Sequence, residues 1–182
     1  MKKLILSEIG MLKRNPISYS IWVMPEGNIK DQLKNTIYSL STDFGGPVFE
    51  PHITLVSSFV GNEKDLMQKT EIMSKKIKPF EIFFDRIAYL DNFFRSLFLT
   101  VKVNIGLELA RDIACKELNW NDNDYMPHLS LTYGDYSKKE KEKMISTVDN
   151  VPDGFLVDSI FFAYNDEINL KWKIIQAFHL IN

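Results

Sequence analysis

The sequence predicts an α+β fold of two lobes, with antiparallel sheets that face each other across a central cleft. The two lobes are copies of one duplicated β-α-β-α-β unit. Strand-like and helix-like patterns alternate along the chain, and the whole alternation occurs twice. A short motif also recurs at equivalent points of the two halves, around His52 and His128. An internal duplication explains both observations most simply.

The first half alternates strands and helices. Residues 18–24 are aromatic and β-branched, which is typical of a strand. Asn28 can cap a helix with apolar residues at helical spacing, and residues 43–47, with two glycines and a proline, end it. The remaining predicted elements of this half are a strand over 52–59, a helix over 62–77 and a strand over 80–90.

The second half repeats this order. Residues 96–102 predict a strand, and Asn104 can cap a helix with an apolar stripe. A strand over 128–133 follows, and Ser137 and Glu140 form a capping box for a charged helix that ends near residue 148. The last predicted elements are two strands of a hairpin, over 155–165 and 172–181.

Length and composition fit one domain: the 182 residues include 45% hydrophobic ones. We expect an N-terminal extension over 1–17 and a single bilobal domain over 18–182. The net charge of -2 offers no basic surface for long nucleic acid, although a small anionic ligand stays possible. No apolar stretch reaches the roughly 18 residues that a membrane helix needs, so we expect no membrane partner.

Cys115 is the only cysteine. The chain therefore cannot form an internal disulfide or a cysteine-rich zinc site. A chain with so few cysteines is typical of a reducing compartment, and we expect a cytoplasmic protein.

The duplication is sharpest in two five-residue segments, PHITL from Pro51 and PHLSL from Pro127. Side chains at positions i and i+2 of a strand point to the same face. The first segment therefore presents His52 beside Thr54, and the second presents His128 together with the hydroxyl of Ser130.

Paired imidazoles and hydroxyls suit acid–base chemistry at a phosphate ester. One neutral imidazole can act as the base and one protonated imidazole as the acid, while the hydroxyls donate to phosphate oxygens. A single H-x-T segment in a strand is more often structural, but two copies at equivalent points of a repeat favour catalysis. Two histidines without a third ligand make a zinc site a weaker hypothesis, and we expect no metal and no cofactor. His179 has no such motif, and we expect it to be structural.

With these motifs, the chain resembles the 2H phosphoesterases, which are named for two H-x-[ST] motifs, and is most similar to their plant and yeast cyclic phosphodiesterases. The matching segments are YSIW from Tyr19, FGGP from Phe44, FEPHIT from Phe49, YMPHLSL from Tyr125, and Tyr133-Gly134. The resemblance extends from about residue 18 to residue 180. Plant members contain disulfides, and this chain cannot form one internally.

The resemblance implies metal-independent hydrolysis of nucleoside 2',3'-cyclic phosphates to 2'-phosphates, and of ADP-ribose 1'',2''-cyclic phosphate. It implies that His52 is the acid and His128 the base, although the near-symmetry of the motifs does not itself distinguish them. Thr54 and Ser130 would bind phosphate, and Tyr133 would lie at the active site.

Four aromatic residues are candidates for stacking on a base. Phe44, beside two glycines in a loop, is the most plausible ligand contact. For Trp22 and Phe84 we expect burial in the core, and Tyr133 is the fourth candidate.

Two other functions remain open from the sequence. One is an enzyme of the same superfamily that acts on 2'-5' linked or cyclic oligonucleotides, including RNA-end processing. The other is a non-catalytic nucleotide-binding module. Our leading hypothesis is a monomer that hydrolyses a small cyclic-phosphate nucleotide.

Overall fold

The computed structural model describes residues 17–121 and 124–181. Residues 1–16 of the predicted extension lie outside this part of the chain, and Ile17 begins the first described strand. The elements, in chain order, are β1 (Ile17–Val23), α1 (Gly27–Phe44), β2 (Ile53–Phe59), α2 (Glu63–Ser74), β3 (Phe80–Ala88), a 3-10 turn (Phe93–Arg95), β4 (Leu97–Val101), α3 (Ile105–Leu118), β5 (His128–Thr132), α4 (Lys138–Thr147), β6 (Gly154–Val157), β7 (Ser159–Asp166) and β8 (Lys171–His179). The predicted α+β class and its duplicated order are confirmed.

The strands form one antiparallel sheet in the order β6-β3-β4-β5-β2-β1-β7-β8. Its two halves meet at the centre, where β2 and β5 pair through Ile53 and Leu129. Both residues are fully buried, and each lies between the histidine and the hydroxyl of its motif. Because side chains alternate along a strand, both motifs turn their polar side chains to the face opposite the core.

The two halves exchange elements. β3, the third strand of the first half, pairs with β4 and β6, whereas β7 pairs with β1. The helices follow the same rule, since α1 packs on β5 and α3 packs on β2. Each motif strand is therefore supported by the other half of the chain.

The predicted strand over 155–165 is wrong in one respect: it is two strands, β6 and β7, with only Asp158 between them. β6 lies at one edge of the sheet, whereas β7 lies next to the opposite edge strand. The sheet must therefore curl until its two ends approach each other. No glycine, proline or polar cluster marks this break, which explains why the sequence pattern hides it.

Helix starts agree with the predicted capping residues Asn104 and Ser137, and Asn62 caps a third helix. Asn62 and Asn104 accept hydrogen bonds from backbone N–H groups of the first turn, and Ser137 forms the predicted capping box with Glu140. Asn28 does not cap α1, because that helix begins one residue earlier, at Gly27. Across residues 17–121 and 124–181, no helix is both long and apolar enough to cross a bilayer.

Candidate active site

The two motif histidines open onto one cavity of about 450 Å³. His52 immediately precedes β2, and His128 is the first residue of β5, so each histidine lies next to the central Ile53–Leu129 pair on its own strand. The volume falls in the range that holds small-molecule ligands. The structure thus brings together the two residues that the sequence predicts as an acid–base pair.

Both imidazoles are oriented by the same backbone contact. Nδ1 of His52 donates to the carbonyl oxygen of Glu50 at 2.6 Å, and Nδ1 of His128 donates to the carbonyl oxygen of Met126 at 2.8 Å. A carbonyl oxygen can only accept, so Nδ1 holds the proton in each neutral ring. Nε2 is then the nitrogen that exchanges a proton at the cavity in both motifs.

The prolines of the motifs explain why this contact occurs twice. Glu50 and Met126 each precede a proline, Pro51 or Pro127. A residue before proline is disfavoured in the helical region and takes an extended conformation. We infer that this restriction helps hold the carbonyl oxygens of Glu50 and Met126 against the imidazoles of His52 and His128.

His52 is the more buried of the two histidines, at 8% exposure. Its ring stacks on Trp22, with 3.8 Å between ring centroids and 18° between planes. Burial lowers the pKa of His52 to about 4, and the nearby His128 contributes in the same direction. Contact with an aromatic face favours the cationic form of an imidazole and opposes this shift.

His128 is half-buried and meets the edge of the Phe98 ring, with centroids 5.2 Å apart. Burial lowers the pKa of His128, and the positive charge of Arg95 lowers it further. At neutral pH the free site therefore holds two neutral imidazoles, each with Nε2 available to accept a proton.

The two motif hydroxyls differ in their access to the cavity and in their hydrogen bonds. Thr54 lines the cavity, and its hydroxyl has no hydrogen-bond partner among the described residues. Ser130 is 5% exposed, does not line the cavity, and donates to the carbonyl oxygen of Phe94 at 3.2 Å. Ser130 can reach a ligand only by giving up that bond.

Tyr133 lines the cavity one residue beyond β5. Its ring stacks on Phe49 at a centroid distance of 4.0 Å and lies 5.5 Å from Trp172. Burial raises the pKa of Tyr133, and a hydrogen bond with the Ser130 side chain opposes that rise, so the phenol stays protonated at neutral pH.

The structure does not bring Phe44 to the cavity. It lies at the end of α1 against the core, and Nζ of Lys143 is 5.5 Å from its ring centroid. The glycines beside it serve packing: a Cβ on Gly46 would lie 2.7 Å from both the carbonyl oxygen of Tyr133 and the hydroxyl of Tyr136. The FGGP segment thus packs closely against the end of β5.

Of the other two aromatic candidates, only one lines the cavity. Phe84 is buried in the core. Trp22 is buried as expected and yet lines the cavity, because its ring covers His52.

Sequence reasoning missed two arginines that line the cavity. Arg111 donates to the carbonyl oxygen of Leu55, and its guanidinium lies 3.6 Å from the centroid of the Tyr125 ring. The signal was present, because Arg111 lies at helical spacing from Leu107 and is a charge on an otherwise apolar face. Arg95, in the 3-10 turn before β4, had no comparable signal.

No group of three histidine, cysteine or acidic side chains is placed to hold a metal ion within residues 17–121 and 124–181. The cavity is lined by proton donors, proton acceptors and two arginines, together with the carboxyl groups of Asp124 and Glu167. The donors and the arginines can bind an anion, and the imidazoles can transfer protons to and from it.

Comparison with known proteins gives this site a family. Residues 17–182 match the family described as cyclic phosphodiesterase-like protein. The chain is 27% identical over 140 residues to the cyclic phosphodiesterase of Arabidopsis thaliana, and the alignment covers 75% of this chain and 77% of that protein. It is 26% identical over 196 residues to the 2',3'-cyclic-nucleotide 3'-phosphodiesterase of Yarrowia lipolytica, which covers 85% of this chain and 88% of that protein.

A solved structure agrees in fold. The E. coli LigT structure complexed with 3'-AMP has a TM-score of 0.64 at 12% identity, and the match covers 92% of this chain and 100% of that one. The resemblance predicted from the two H-x-[ST] motifs is therefore confirmed: the chain belongs to the cyclic phosphodiesterase-like family of the 2H phosphoesterase superfamily and is a phosphodiester hydrolase.

Proposed function

We propose that the protein hydrolyses nucleoside 2',3'-cyclic phosphates to 2'-phosphates, and ADP-ribose 1'',2''-cyclic phosphate to the 1''-phosphate, without a metal ion. The observation that supports this most directly is the matched pair of imidazoles, each with Nδ1 bound to a backbone carbonyl and both at one cavity. Relatives named as cyclic phosphodiesterase and as 2',3'-cyclic-nucleotide 3'-phosphodiesterase support the same substrate class.

The reaction needs one proton removed and one delivered. Nε2 of His128 takes a proton from water, and the resulting hydroxide oxygen bonds to phosphorus. The bond from phosphorus to the 3' oxygen breaks, and Nε2 of His52 gives its proton to that oxygen. Thr54 and Ser130 donate to the non-bridging oxygens, where negative charge increases.

Individual contacts of the two histidines support this division of roles, whereas the burial of His52 opposes it. The positive charge of Arg95 disfavours protonation of His128, as a base requires. The indole face of Trp22 favours the cationic form of His52, as an acid requires. A bound cyclic phosphate brings a negative charge that raises the pKa of His52 from about 4 in the free site.

The size of the site favours a small ligand. A cavity of about 450 Å³ suits a mononucleotide or a dinucleotide-sized molecule better than an oligonucleotide. The intact histidines and hydroxyls of both motifs are unnecessary for a protein that only binds nucleotides.

The position of the phosphate in the product tests the proposal. We expect phosphorus NMR of hydrolysed 2',3'-cyclic AMP to show mainly the 2'-monophosphate, because cleavage on the 3' side leaves phosphate on the 2' oxygen. A mainly 3'-monophosphate product would mean that the substrate binds in the reverse direction, and the roles of His52 and His128 would be exchanged.

The same reaction in excess EDTA tests the absence of a metal. We expect the rate to be unchanged, since a neutral imidazole can accept the proton of water directly. Loss of activity in EDTA with recovery on adding a divalent ion would contradict the two-histidine mechanism. Cyclic dinucleotides and 2'-5' linked oligonucleotides, assayed in parallel, test the larger substrates.

A further inference from the structure

The proposed reaction concentrates negative charge on the phosphate oxygens. A cyclic phosphate diester has one negative charge, and more negative charge develops on its oxygens as the hydroxide oxygen bonds to phosphorus. The residues assigned so far supply His52, which starts protonated, His128, which becomes protonated as it takes the proton of water, and neutral donors. A permanent cation near the phosphate would stabilise the transition state more than the bound substrate.

Arg95 is a permanent cation at the cavity. It ends the 3-10 turn between β3 and β4, is half-buried and lines the cavity. Within the part of the chain that the structure describes, no hydrogen bond or ion pair engages its guanidinium. Arg111, by contrast, is already bound to the Leu55 carbonyl and the Tyr125 ring.

The backbone around Arg95 is fixed by local hydrogen bonds. Asn92 accepts from the backbone N–H of Phe94 through its side chain, at 3.0 Å, and from that of Arg95 through its carbonyl oxygen, at 3.1 Å. The carbonyl oxygen of Arg95 accepts from the backbone N–H of Leu90 at 3.0 Å. The turn is therefore an ordered platform for the guanidinium.

Four further hydrogen bonds attach this turn, and the residues just before it, to β5, to Gly134 and to α4. Gly134 donates its backbone N–H to Phe93 at 3.0 Å, and Ser130 donates to Phe94. Lys141, which is only 2% exposed, donates from Nζ to the carbonyl of Leu90 and to Asp91, both at 2.8 Å. The backbone of the turn that carries Arg95 is thus held beside β5, the strand that begins at His128.

We propose that Arg95 binds the non-bridging oxygens of the substrate phosphate beside His128 and stabilises the negative charge that develops during hydrolysis. This inference rests on the proposed function. A partly buried guanidinium without an anionic partner is costly, and a phosphate satisfies its planar array of donors.

The effect of Arg95 on its neighbour supports this position. Its charge contributes to the lowered pKa of His128, so the two side chains lie within electrostatic range of each other. Besides Arg95 and the two histidines, the ionisable groups that line the cavity are Arg111, Asp124, Tyr125, Tyr133 and Glu167. Of the two arginines at the cavity, Arg95 is the one whose charge lowers the pKa of His128.

Three variants test the proposal. R95Q removes the charge and keeps a polar side chain, R95K keeps the charge without the planar donors, and R86Q is the matched control. Arg86 is an exposed arginine on β3 that pairs with Asp85 and does not line the cavity. Circular dichroism and thermal unfolding first establish that all three variants fold like the wild type.

We expect R95Q to lower kcat/KM for 2',3'-cyclic AMP by roughly 10- to 150-fold, the range for a hydrogen bond to a charged group. R95K should lose less, and R86Q should stay within about twofold of the wild type, because surface charges contribute little. Removal of the Arg95 charge should also move the acidic limb of the kcat/KM profile to higher pH, because the pKa of His128 rises. A folded R95Q with wild-type kcat/KM, or an acidic limb that does not move, would overturn the proposal.

Calorimetric binding of 2'-AMP separates this inference from the proposed function. We expect R95Q to bind 2'-AMP at least about tenfold more weakly than R86Q, whether or not 2',3'-cyclic AMP is hydrolysed. Equal binding by the two variants, or no binding by the wild type, would overturn the role of Arg95. Active hydrolysis with equal binding would leave the proposed function standing.

Discussion

The two H-x-[ST] motifs have the same backbone geometry but different surroundings. Each histidine donates from Nδ1 to the carbonyl two residues before it, and each motif places an apolar residue in the core. His52, however, is covered by Trp22, whereas His128 is half-buried near Arg95. The duplication therefore supplies the position and tautomer of both imidazoles, and the non-equivalent neighbours can give them opposite roles.

Removal of either imidazole is the most severe way to break this pairing. We expect His52→Ala and His128→Ala each to lower kcat by roughly 10²- to 10⁴-fold, the usual contribution of a general acid or base. The double variant should be little worse than either single one, because the two act as a unit. His179→Ala is the control, because His179 is an exposed histidine on β8 whose Nδ1 is hydrogen-bonded to the hydroxyl of Ser159 on β7. Near-full activity of either single motif variant would disprove the paired mechanism.

Acid stability sharpens the comparison of the two histidines. The pKa of His52 falls from 6.5 to about 4 on folding. Between these values the unfolded chain binds more protons than the folded one, so the free energy of unfolding decreases as the pH drops through this window. At about 1.4 kcal/mol per pKa unit, His52 contributes about 3 kcal/mol to that decrease.

Urea unfolding at pH 7 and at pH 4.5 measures this contribution. We expect His52→Gln to reduce the loss of stability at low pH relative to the wild type. His128→Gln should also reduce it, since burial lowers that pKa too. An unchanged pH dependence in His52→Gln would show that His52 is not held neutral by burial.

The hydroxyls should give the smallest effects and the clearest asymmetry. We expect Thr54→Val to lower kcat/KM by roughly 10- to 150-fold, since its free hydroxyl gains a bond to a charged oxygen. Ser130→Ala should cost less than about tenfold, because Ser130 exchanges its bond to Phe94 for one to phosphate. A larger loss in Ser130→Ala than in Thr54→Val, in steady-state kinetics, would reverse this order.

The sequence predicts those features that depend on neighbours along the chain. The alternation of His52, Ile53 and Thr54 suffices to place the imidazole and hydroxyl opposite the core, because a strand has a period of two. The internal repeat adds the second copy. Helix capping by Asn104 and Ser137 was predictable for the same local reason.

The remaining features depend on contacts between distant segments. Phe44 stands beside flexible glycines in the sequence, but the close approach of Gly46 to the end of β5 directs this segment to a packing role. Arg95 reaches the cavity only because its turn is bonded to Gly134 and Ser130 of the second half. No pattern within one segment specifies such positions.

The pairing of β1 with β7 sets the order in which the molecule can be completed during synthesis. Ile17 pairs with Asp166, and Asn165 donates to Ser20 at 2.6 Å. β1 can therefore form these contacts only after β7 has left the ribosome. Contacts so distant in sequence form slowly, and until then an edge of β1 is open to other chains. A growing chain that already contains both motif histidines therefore still lacks the strand that supports Trp22 behind His52. The surroundings of His52 are therefore complete only after β7 has paired with β1.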